Sequence, residues 1–179
     1  MIAAASNAGV KLLLYTSVLR ADSSALGVAV THRKTESDLR ASGLPFAILR
    51  NGWYTENDTA SLAMAVATGA LLGSAGGRQI ASATREDYAD VAAVALLDGV
   101  EAGRVFKLAG DEAYTLSQLA AEVARQSGKP VAYRNLSETD FKAALLAAGV
   151  PEVGASVLSG SDAERPTARC LTMVANSVR

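Results

Sequence analysis

An apolar segment of the sequence passes directly into residues that can bind a flat ligand. Residues 44–57 read LPFAILRNGWYTEN, and their first half has the composition of a buried β-strand. A turn would need only Gly and Asn, whereas Trp53 and Tyr54 are rigid, amphipathic rings. We therefore predict that a planar group is held where this strand ends.

Hydroxyl groups mark the end of a second apolar segment, which reads YTSV at residues 15–18. If this segment is a strand, Thr16 and Ser17 lie at its carboxyl end, where α/β sheets bind their ligands. For either residue alone, a hydroxyl that only terminates the strand is an equal alternative. A tyrosine with a lysine four positions later, a pair that eases proton transfer from the phenol, is absent because none of the five tyrosines has one.

Three cationic residues could take part in chemistry. His32 is either a solvated or capping side chain or a proton donor. Arg85 occupies the first turn of a predicted helix, where the helix dipole disfavours a cation, and this position favours a functional role. Arg50 ends an otherwise apolar strand and requires an anionic partner, for which the candidates are Glu36, Asp87 and a ligand phosphate.

The sequence contains no G-x-G-x-x-G motif, the glycine-rich turn that holds a dinucleotide pyrophosphate at a helix N-terminus. The nearest candidate is GALLGSAGGR at residues 69–78. A strand follows this segment instead of a helix, which is the wrong context for phosphate binding. We interpret it as a glycine-rich connection into the next strand.

The composition favours one globular, metal-free, cytosolic protein. Seventeen Lys and Arg residues nearly balance eighteen Asp and Glu residues, and no basic cluster is interleaved with aromatics, so we expect no nucleic-acid partner. The single cysteine, Cys170, cannot form an internal disulfide, and no Cys/His group has metal-ligand spacing. No apolar run has the length that a bilayer requires, so we expect neither a signal peptide nor a membrane span.

The elements that position these residues alternate between strand and helix. KLLLYTSV and PFAILRN are predicted strands of a parallel sheet, and TESDLRASG between them has helical spacing, which gives a β-α-β unit. Three later helices begin at a Ser or Thr cap followed three residues later by an acid or amide: Thr84 with Asp87, Thr115 with Gln118, and Ser137 with Asp140. RQIASAT, RVFKLAG and PVAYRNL are further predicted strands. The predicted class is α/β.

Four segments of the sequence resemble the NmrA-like branch of the atypical short-chain dehydrogenases, and within it the bacterial NADPH:quinone oxidoreductases of type 2. They read GVKLLLYTSVLRADSSALG, HRKTESDLRASGLPFAILRNGWYTEN, GRQIASATREDYADVAA and LAGDEAYTLSQLAAEVARQSGKPVAYRNLSETDF. The resemblance covers residues 2–153. It implies a Rossmann fold that binds NADPH at its strand ends, a small carboxyl-terminal lobe that closes over the substrate, and a quinone as that substrate.

The resemblance also implies roles for individual residues. In this family the loop after the strand walls the nicotinamide and faces the quinone. The implied cofactor-binding residues are Thr16, Ser17, Asn51, Gly52, Trp53, Tyr54, Thr55, Glu56 and Ala83. The implied substrate-binding residues are Trp53, Tyr54, Asn57 and Arg85, and the candidate catalytic residues are Tyr54 and His32. His32 stands where related reductases have a catalytic lysine.

The resemblance further predicts a partial Rossmann fold with three segments. Residues 1–100 would form its later strands, residues 101–153 the small lobe, and residues 154–179 an irregular tail. Because family members begin with a glycine-rich strand-turn-helix, we expect this chain to bind NADPH weakly. The first predicted strand would then have an unpaired edge that promotes self-association. The alternatives are a catalytically silent, dinucleotide-sensing regulator and a truncated gene product with little activity.

Overall fold

A computed structural model describes residues 1–24 and 26–163 of the chain. Strands and helices alternate along most of it, so the predicted α/β class is confirmed. The strands are β1 (Leu13–Val18), β2 (Phe46–Asn51), β3 (Ala70–Gly73), β4 (Gln79–Ile80), β5 (Val105–Leu108), β6 (Tyr114–Thr115) and β7 (Ala132–Asn135). The helices are α1 (Ile2–Asn7), α2 (Gly27–Ala41), α3 (Thr55–Thr59), α4 (Leu62–Thr68), α5 (Arg85–Leu97), α6 (Leu116–Ser127), α7 (Glu138–Ala147) and α8 (Glu152–Ala163).

The described residues divide into two compact units. The first unit comprises residues 1–52 and 83–110, and the second comprises residues 53–82 and 111–163. The chain therefore enters the second unit at Trp53, directly after β2, and returns to the first unit at Ala83. The predicted division at residue 100 does not follow this boundary, because the segment 53–82 leaves the first unit between two of its strands.

The first unit is built on a parallel sheet with the strand order β1-β2-β5. Its central strand, β2, is buried from Ala47 to Asn51, whereas β1 is only partly buried. In the described part of the chain β1 pairs with β2 alone, so the predicted unpaired edge is confirmed. The self-association that such an edge promotes stays a prediction, which light scattering at increasing protein concentration can test.

Helix α2 connects β1 to β2 and completes the predicted β-α-β unit. It contributes the fully buried Leu39 to the core, together with Ile48 and Leu49 of β2. Helix α2 ends at Ala41, two residues before Gly43, whose φ of 72° lies in the left-handed region that glycine adopts without strain. The closing glycine of this helix was predicted from its position alone.

The three predicted helix caps are present. The Thr84 hydroxyl accepts a hydrogen bond from the Asp87 N–H, and Thr115 accepts one from Gln118 in the same way. In both helices the side chain of the third residue also accepts from the backbone N–H of the cap, which forms a capping box. Ser137 caps α7 by accepting from the Asp140 N–H. These caps fix the starts of α5, α6 and α7.

The second unit contains two short strand pairs around its own core. Strands β3 and β7 are parallel, and β4 and β6 are antiparallel. The interpretation of residues 69–78 as a connection is wrong for Ala70–Gly73, which form β3. Gly73 allows this pairing because a Cβ there would lie 2.7 Å from the Leu116 Cδ1. The core cluster comprises Ala65, Leu71, Ala75, Ile80, Leu116, Ala120 and Val131.

The prediction of an irregular tail from residue 154 is wrong for its first ten residues, because α8 continues to Ala163. The helix packs against α7, and it buries small and polar residues instead of a periodic row of large apolar ones: Ala155, Ser159, Ser161 and Asp162. The Asp162 Oδ2 accepts a hydrogen bond of 3.0 Å from the Ser74 N–H, and the Ser159 carbonyl accepts one from the Ser74 hydroxyl. Residues 164–179 of the predicted tail lie outside the described residues.

None of the helices in the described ranges is both long enough and apolar enough to cross a bilayer.

Candidate functional site

The hydroxyl pair at the end of β1 is divided between the two faces of the sheet. Alternation along a strand directs neighbouring side chains to opposite faces. Ser17 is buried on the face covered by α2, where its hydroxyl donates to the Glu36 Oε1 at 2.7 Å. Thr16 is exposed on the opposite face. Of the two predicted cofactor residues, only Thr16 therefore offers its hydroxyl to a ligand outside the α2 layer.

Arg50 finds its anionic partner within the first unit. Its Nε donates to the Glu36 Oε1 at 2.9 Å and its Nη2 to the Glu36 Oε2 at 2.7 Å, which is a bidentate ion pair. Its Nη1 also donates to the Asp22 Oδ2 at 2.8 Å. Of the three partners that the sequence left open, Glu36 is the one observed, and Asp87 instead accepts from Thr84 at the start of α5.

The electrostatics of this buried cluster follow from its hydrogen bonds. Burial raises the pKa of the Glu36 carboxyl, but hydrogen bonds from Arg50, Ser17 and Arg40 outweigh burial and hold the pKa below its usual 4.5. The hydrogen bond from Arg50 likewise lowers the pKa of Asp22 below its usual 3.8. Glu36 is thus a stable anion that holds α2 against β1 and β2. Arg50 has a structural role and is not available to a ligand phosphate.

His32 lies one helical turn before Glu36, on the same face of α2. Its Nδ1 is 2.7 Å from the Tyr15 hydroxyl, and the two rings are tilted with their centroids 5.7 Å apart. Burial lowers the pKa of His32 below its usual 6.5, and the nearby Glu36 carboxylate opposes this shift. The structure therefore places His32 beside Tyr15 and Ser17 on the α2 side of the sheet, away from the exposed Thr16.

Asn51 and Gly52 form the carboxyl end of β2, next to the last residues of β5. Asn51 is buried, and its carbonyl accepts from the Leu19 N–H at 2.8 Å. The Gly52 N–H donates to the Leu108 carbonyl at 2.8 Å, and a Cβ on Gly52 would lie 3.0 Å from both that carbonyl and the Tyr88 hydroxyl. A side chain at position 52 would therefore displace the neighbouring strand end or Tyr88.

Ala83 and Arg85 lie where the chain returns to the first unit. Ala83 is half-buried, and Arg85 is exposed as the first residue of α5. The Asp87 carboxylate in the same turn is held by Thr84, and its hydrogen bonds lower its pKa below the usual 3.8. Asp87 thus supplies the negative charge that the helix dipole favours at the N-terminus of α5.

The predicted aromatic loop belongs to the second unit and begins α3. Tyr54 is the N-terminal flanking residue of this helix, and the Asn57 N–H donates to the Tyr54 carbonyl at 3.0 Å. Trp53 packs against the core cluster of the second unit, and its Nε1 donates to the Asp58 Oδ1 at 3.0 Å. The side chains from Trp53 to Asn57 are all half-buried, so the loop is accessible but anchored.

Three residues that the sequence did not indicate complete this loop. The buried Asp58 also accepts from the Tyr114 hydroxyl at 3.0 Å, through its second oxygen. The Ser82 hydroxyl lies 2.8 Å from the Tyr114 hydroxyl and 2.9 Å from that of Thr55. The only sequence feature that could have indicated Asp58 is its position directly after residues 44–57. No local pattern indicated Tyr114 or Ser82.

The carboxyl edge of the sheet in the first unit is where a dinucleotide would bind in a fold of this kind. Thr16 is exposed there, whereas the Asn51 carbonyl and the Gly52 N–H are hydrogen-bonded to Leu19 and Leu108. The connection from β1 to α2 contains no glycine before Gly27, so it cannot supply a close-approach phosphate turn. The β1–α2 connection therefore does not suit a pyrophosphate.

The chain is similar in sequence to characterised reductases. It is 52% identical over 162 residues to Quinone oxidoreductase 2 of Escherichia coli strain K12, a match that covers 90% of this chain and 57% of that protein. It is 28% identical over 170 residues to a (4-alkanoyl-5-oxo-2,5-dihydrofuran-3-yl)methyl phosphate reductase of Streptomyces griseus, with 93% of this chain and 60% of that protein covered. No family model matches the sequence.

Solved structures agree with this similarity. The E. coli NADPH-dependent quinone oxidoreductase in complex with NADPH has a TM-score of 0.88 at 51% identity, covering 92% of this chain and 58% of that chain. The Citrobacter sp. triphenylmethane reductase in complex with NADP(H) has a TM-score of 0.81 at 30% identity, with the same coverages of 92% and 58%. The predicted Rossmann fold and the resemblance to this group of reductases are therefore confirmed. The chain spans less than two thirds of the length of these relatives.

Proposed function

We propose, starting from this homology to NADPH-dependent quinone oxidoreductases, that the chain forms the nicotinamide-side and quinone-side part of such an enzyme. The observation that carries the proposal is the 52% identity to the E. coli protein across 90% of this chain, which includes the aromatic loop. The reaction would reduce a quinone to a hydroquinone with one hydride and one proton. NADPH, when bound, supplies the hydride.

The residues of the chain would position the reactants and need no covalent nucleophile. On the cofactor side, the exposed Thr16 lies near the end of β1 with Asn51 and Gly52 at the end of β2, whereas the Ser17 hydroxyl is already donated to Glu36. On the quinone side, the rings of Trp53 and Tyr54 offer flat apolar surfaces. We retain as further contacts Thr55, Glu56, Asn57, Ala83 and Arg85.

Of the two candidate acids, Tyr54 has more structural support than His32. Tyr54 lies within the accessible aromatic loop, at the start of α3. His32 lies on α2 with its Nδ1 2.7 Å from the Tyr15 hydroxyl, and burial lowers its pKa, so it carries little charge at neutral pH. Tyr54 would place its phenol near the quinone oxygen that develops negative charge.

Binding of NADPH to this chain is expected to be weak. The sequence contains no G-x-G-x-x-G turn, whose backbone N–H groups would bind the pyrophosphate. The proposal therefore includes impaired cofactor binding by this chain. A cytoplasmic location with no nucleic-acid or membrane partner belongs to the same proposal, and the single cysteine fits a reducing compartment.

The test compares this chain with a chimera. In the chimera, the part of E. coli Quinone oxidoreductase 2 that this chain does not match is fused to it. Trp53 is the only tryptophan, so energy transfer from it to NADPH reports binding near the loop. We expect little transfer in the unextended chain, strong transfer in the chimera, and duroquinone-dependent NADPH oxidation by the chimera alone.

Each other result has a defined meaning. Tight NADPH binding by the unextended chain would refute the impaired-binding part of the proposal. A chimera that binds NADPH but reduces no quinone would favour the dinucleotide-sensing regulator. In an active chimera, Tyr54→Ala should raise the KM for duroquinone, because stacking of one flat ring is worth about 1–3 kcal/mol. Tyr54→Phe retains the ring, so it should preserve the KM and reduce kcat if the phenol donates a proton.

A further inference from the structure

Asp58 lies at the centre of a hydrogen-bond network in the second unit. It is buried, with 7% of its surface exposed, and its two oxygens accept from different rings. The Oδ1 accepts from the indole Nε1 of Trp53 and the Oδ2 from the hydroxyl of Tyr114, each at 3.0 Å. One carboxylate therefore fixes the orientation of two aromatic side chains that pack against the same core cluster.

The donors in this network have a single consistent order. The only hydroxyl hydrogen of Tyr114 is donated to Asp58, so at the 2.8 Å contact with Ser82 the serine must donate. The Ser82 hydrogen is then used, and at the 2.9 Å contact with Thr55 the threonine must donate. Thr55 thus donates to Ser82, Ser82 donates to Tyr114, and Tyr114 donates to the Asp58 carboxylate. The same carboxylate also accepts from the N–H of Trp53.

We infer that Asp58 is a positioning residue, which holds Trp53 as a rigid platform for a flat, electron-poor ring. Because the Trp53 N–H is donated to Asp58, the indole contacts a ligand through its ring carbons and not through a hydrogen bond. The Thr55 hydrogen is used in the same network. The part of this inference that concerns a quinone rests on the proposed function, whereas the orientation of Trp53 by Asp58 stands on the geometry alone.

The experiment measures Trp53 directly in the full chain. Near-ultraviolet circular dichroism reports whether the indole has one orientation, and acrylamide quenching reports its accessibility. We expect Asp58→Ala to lose most of the tryptophan dichroism band and to increase quenching. Asp58→Asn should preserve much of the band, because its amide oxygen still accepts from the indole and the Tyr114 hydroxyl can turn to accept from its NH₂.

Two further variants separate positioning from general stability. Tyr114→Phe leaves the bond between Trp53 and Asp58 intact, so it should lower the free energy of unfolding with little change in the Trp53 signals. Asp111→Asn removes a carboxylate from an exposed site in the same unit and should change neither quantity. If Asp58→Ala does not fold, Asp58→Asn decides the inference: it should lose more of the Trp53 signals than Tyr114→Phe and Asp111→Asn do, and an equal or smaller loss would overturn the positioning role.

Duroquinone quenching of Trp53 tests the ligand part. A freed indole must be ordered again when a ligand binds, so Asp58→Ala should weaken duroquinone binding about two- to tenfold. A folded Asp58→Ala variant with an unchanged dichroism band would overturn the positioning role. Equal duroquinone affinity in a variant whose Trp53 has become mobile would overturn the link to the ligand. If the unaltered chain does not quench, the proposed function fails for this chain, and the dichroism still decides the role of Asp58.

Discussion

Glu36 in the first unit and Asp58 in the second are buried carboxylates that accept hydrogen bonds from side chains, and the partners seen in the structure differ in charge. Glu36 in the first unit is neutralised by the guanidinium of Arg50 and also accepts from Ser17 and Arg40. Asp58 in the second unit accepts from the neutral donors of Trp53 and Tyr114. The first is an ion pair that joins α2 to the sheet, and the second is an anion held by two aromatic rings.

The difference in partners separates a structural site from a ligand-binding one. The ion pair occupies Ser17, Arg50 and the face of β1 under α2, so these residues are unavailable to a ligand even though their types suggest chemistry. Asp58 instead accepts from the polar edges of two rings, the indole Nε1 of Trp53 and the hydroxyl of Tyr114, and Trp53 is half-buried. Residues that bind a flat molecule are therefore expected around Asp58 and not around Glu36.

Removal of Arg50 should cause the largest effect. Arg50→Met leaves the Glu36 carboxylate, which is 2% exposed, without its bidentate partner, and an uncompensated buried charge costs about 3–5 kcal/mol. Urea denaturation followed by circular dichroism measures the free energy of unfolding. Arg50→Lys keeps the charge but not the bidentate geometry, so it should lose less.

A double variant sharpens the same test. Glu36→Leu combined with Arg50→Met replaces the ion pair by apolar groups and should recover much of the stability that Arg50→Met alone loses. A double variant as unstable as the sum of its two single variants would show that the pair is not coupled. Glu36 would then not differ from Asp58 in being stabilised by a cationic partner.

Acid should weaken the first unit through the same group. The folded pKa of Glu36 lies below its usual 4.5, so its stabilisation is complete above that pH and is lost as the pH falls through the folded pKa. Asp22 acts in the same direction below its usual 3.8, and so does His32 below 6.5, because burial lowers its folded pKa. The free energy of unfolding, measured by urea denaturation from pH 7 downward, should therefore fall.

Arg50→Met is the control for the acid effect. Without the guanidinium, burial is opposed only by the hydrogen bonds from Ser17 and Arg40, so the pKa of Glu36 should rise. The variant should therefore lose less stability in acid than the unaltered chain does. Parallel pH profiles for the two proteins would contradict the assignment.

The sequence predicted those parts of the fold that depend on short-range chemistry. The caps at Thr84, Thr115 and Ser137 involve residues only three positions apart, and the β-α-β unit follows from adjacent apolar runs. Helix α8 was missed because it packs through small and polar residues, which a search for apolar periodicity does not register. Strand β3 was missed because it is four residues long and lies within a glycine-rich segment, although its Leu71 belongs to the core cluster. For α5 the cap predicted where the helix begins, but its apolar residues Val94 and Leu97 are largely exposed.

The candidate site shows the same limit. Glu36 was among the partners predicted for Arg50, because an arginine at the end of a buried strand requires an anion nearby. The network around Asp58 joins residues 56 positions apart in the sequence, and nothing local to Tyr114 indicates that partner. The orientation of Ser17 away from Thr16 also depended on where α2 packs, although alternation along a strand had already implied opposite faces.

Loss of the Tyr114 hydroxyl should have an intermediate effect, now in the second unit. Tyr114→Phe removes one of the two ring donors to Asp58, and a hydrogen bond to a charged group contributes about 1.5–3 kcal/mol. Thermal denaturation and urea denaturation should agree on this loss. If Tyr114→Phe costs as much as Arg50→Met, neutral donors hold a buried carboxylate as strongly as a guanidinium does, and the contrast between the two units disappears.

The smallest effect is expected from the second arginine at Glu36. The Arg40 Nη1 is 3.2 Å from the Glu36 Oε2, but its side chain is 47% exposed, compared with 8% for Arg50. Water screens an exposed pair and the long side chain loses entropy when it is held, so Arg40→Ala should cost about 0.2–1 kcal/mol by urea denaturation. Lys34→Ala, which breaks the fully superficial pair with Asp38, provides a baseline for loss of a cation from α2. Arg40 and Arg50 contact the same carboxylate. If Arg40→Ala lowered the free energy of unfolding as much as Arg50→Met does, the charge of the arginine alone, and not its burial and bidentate geometry, would stabilise the first unit.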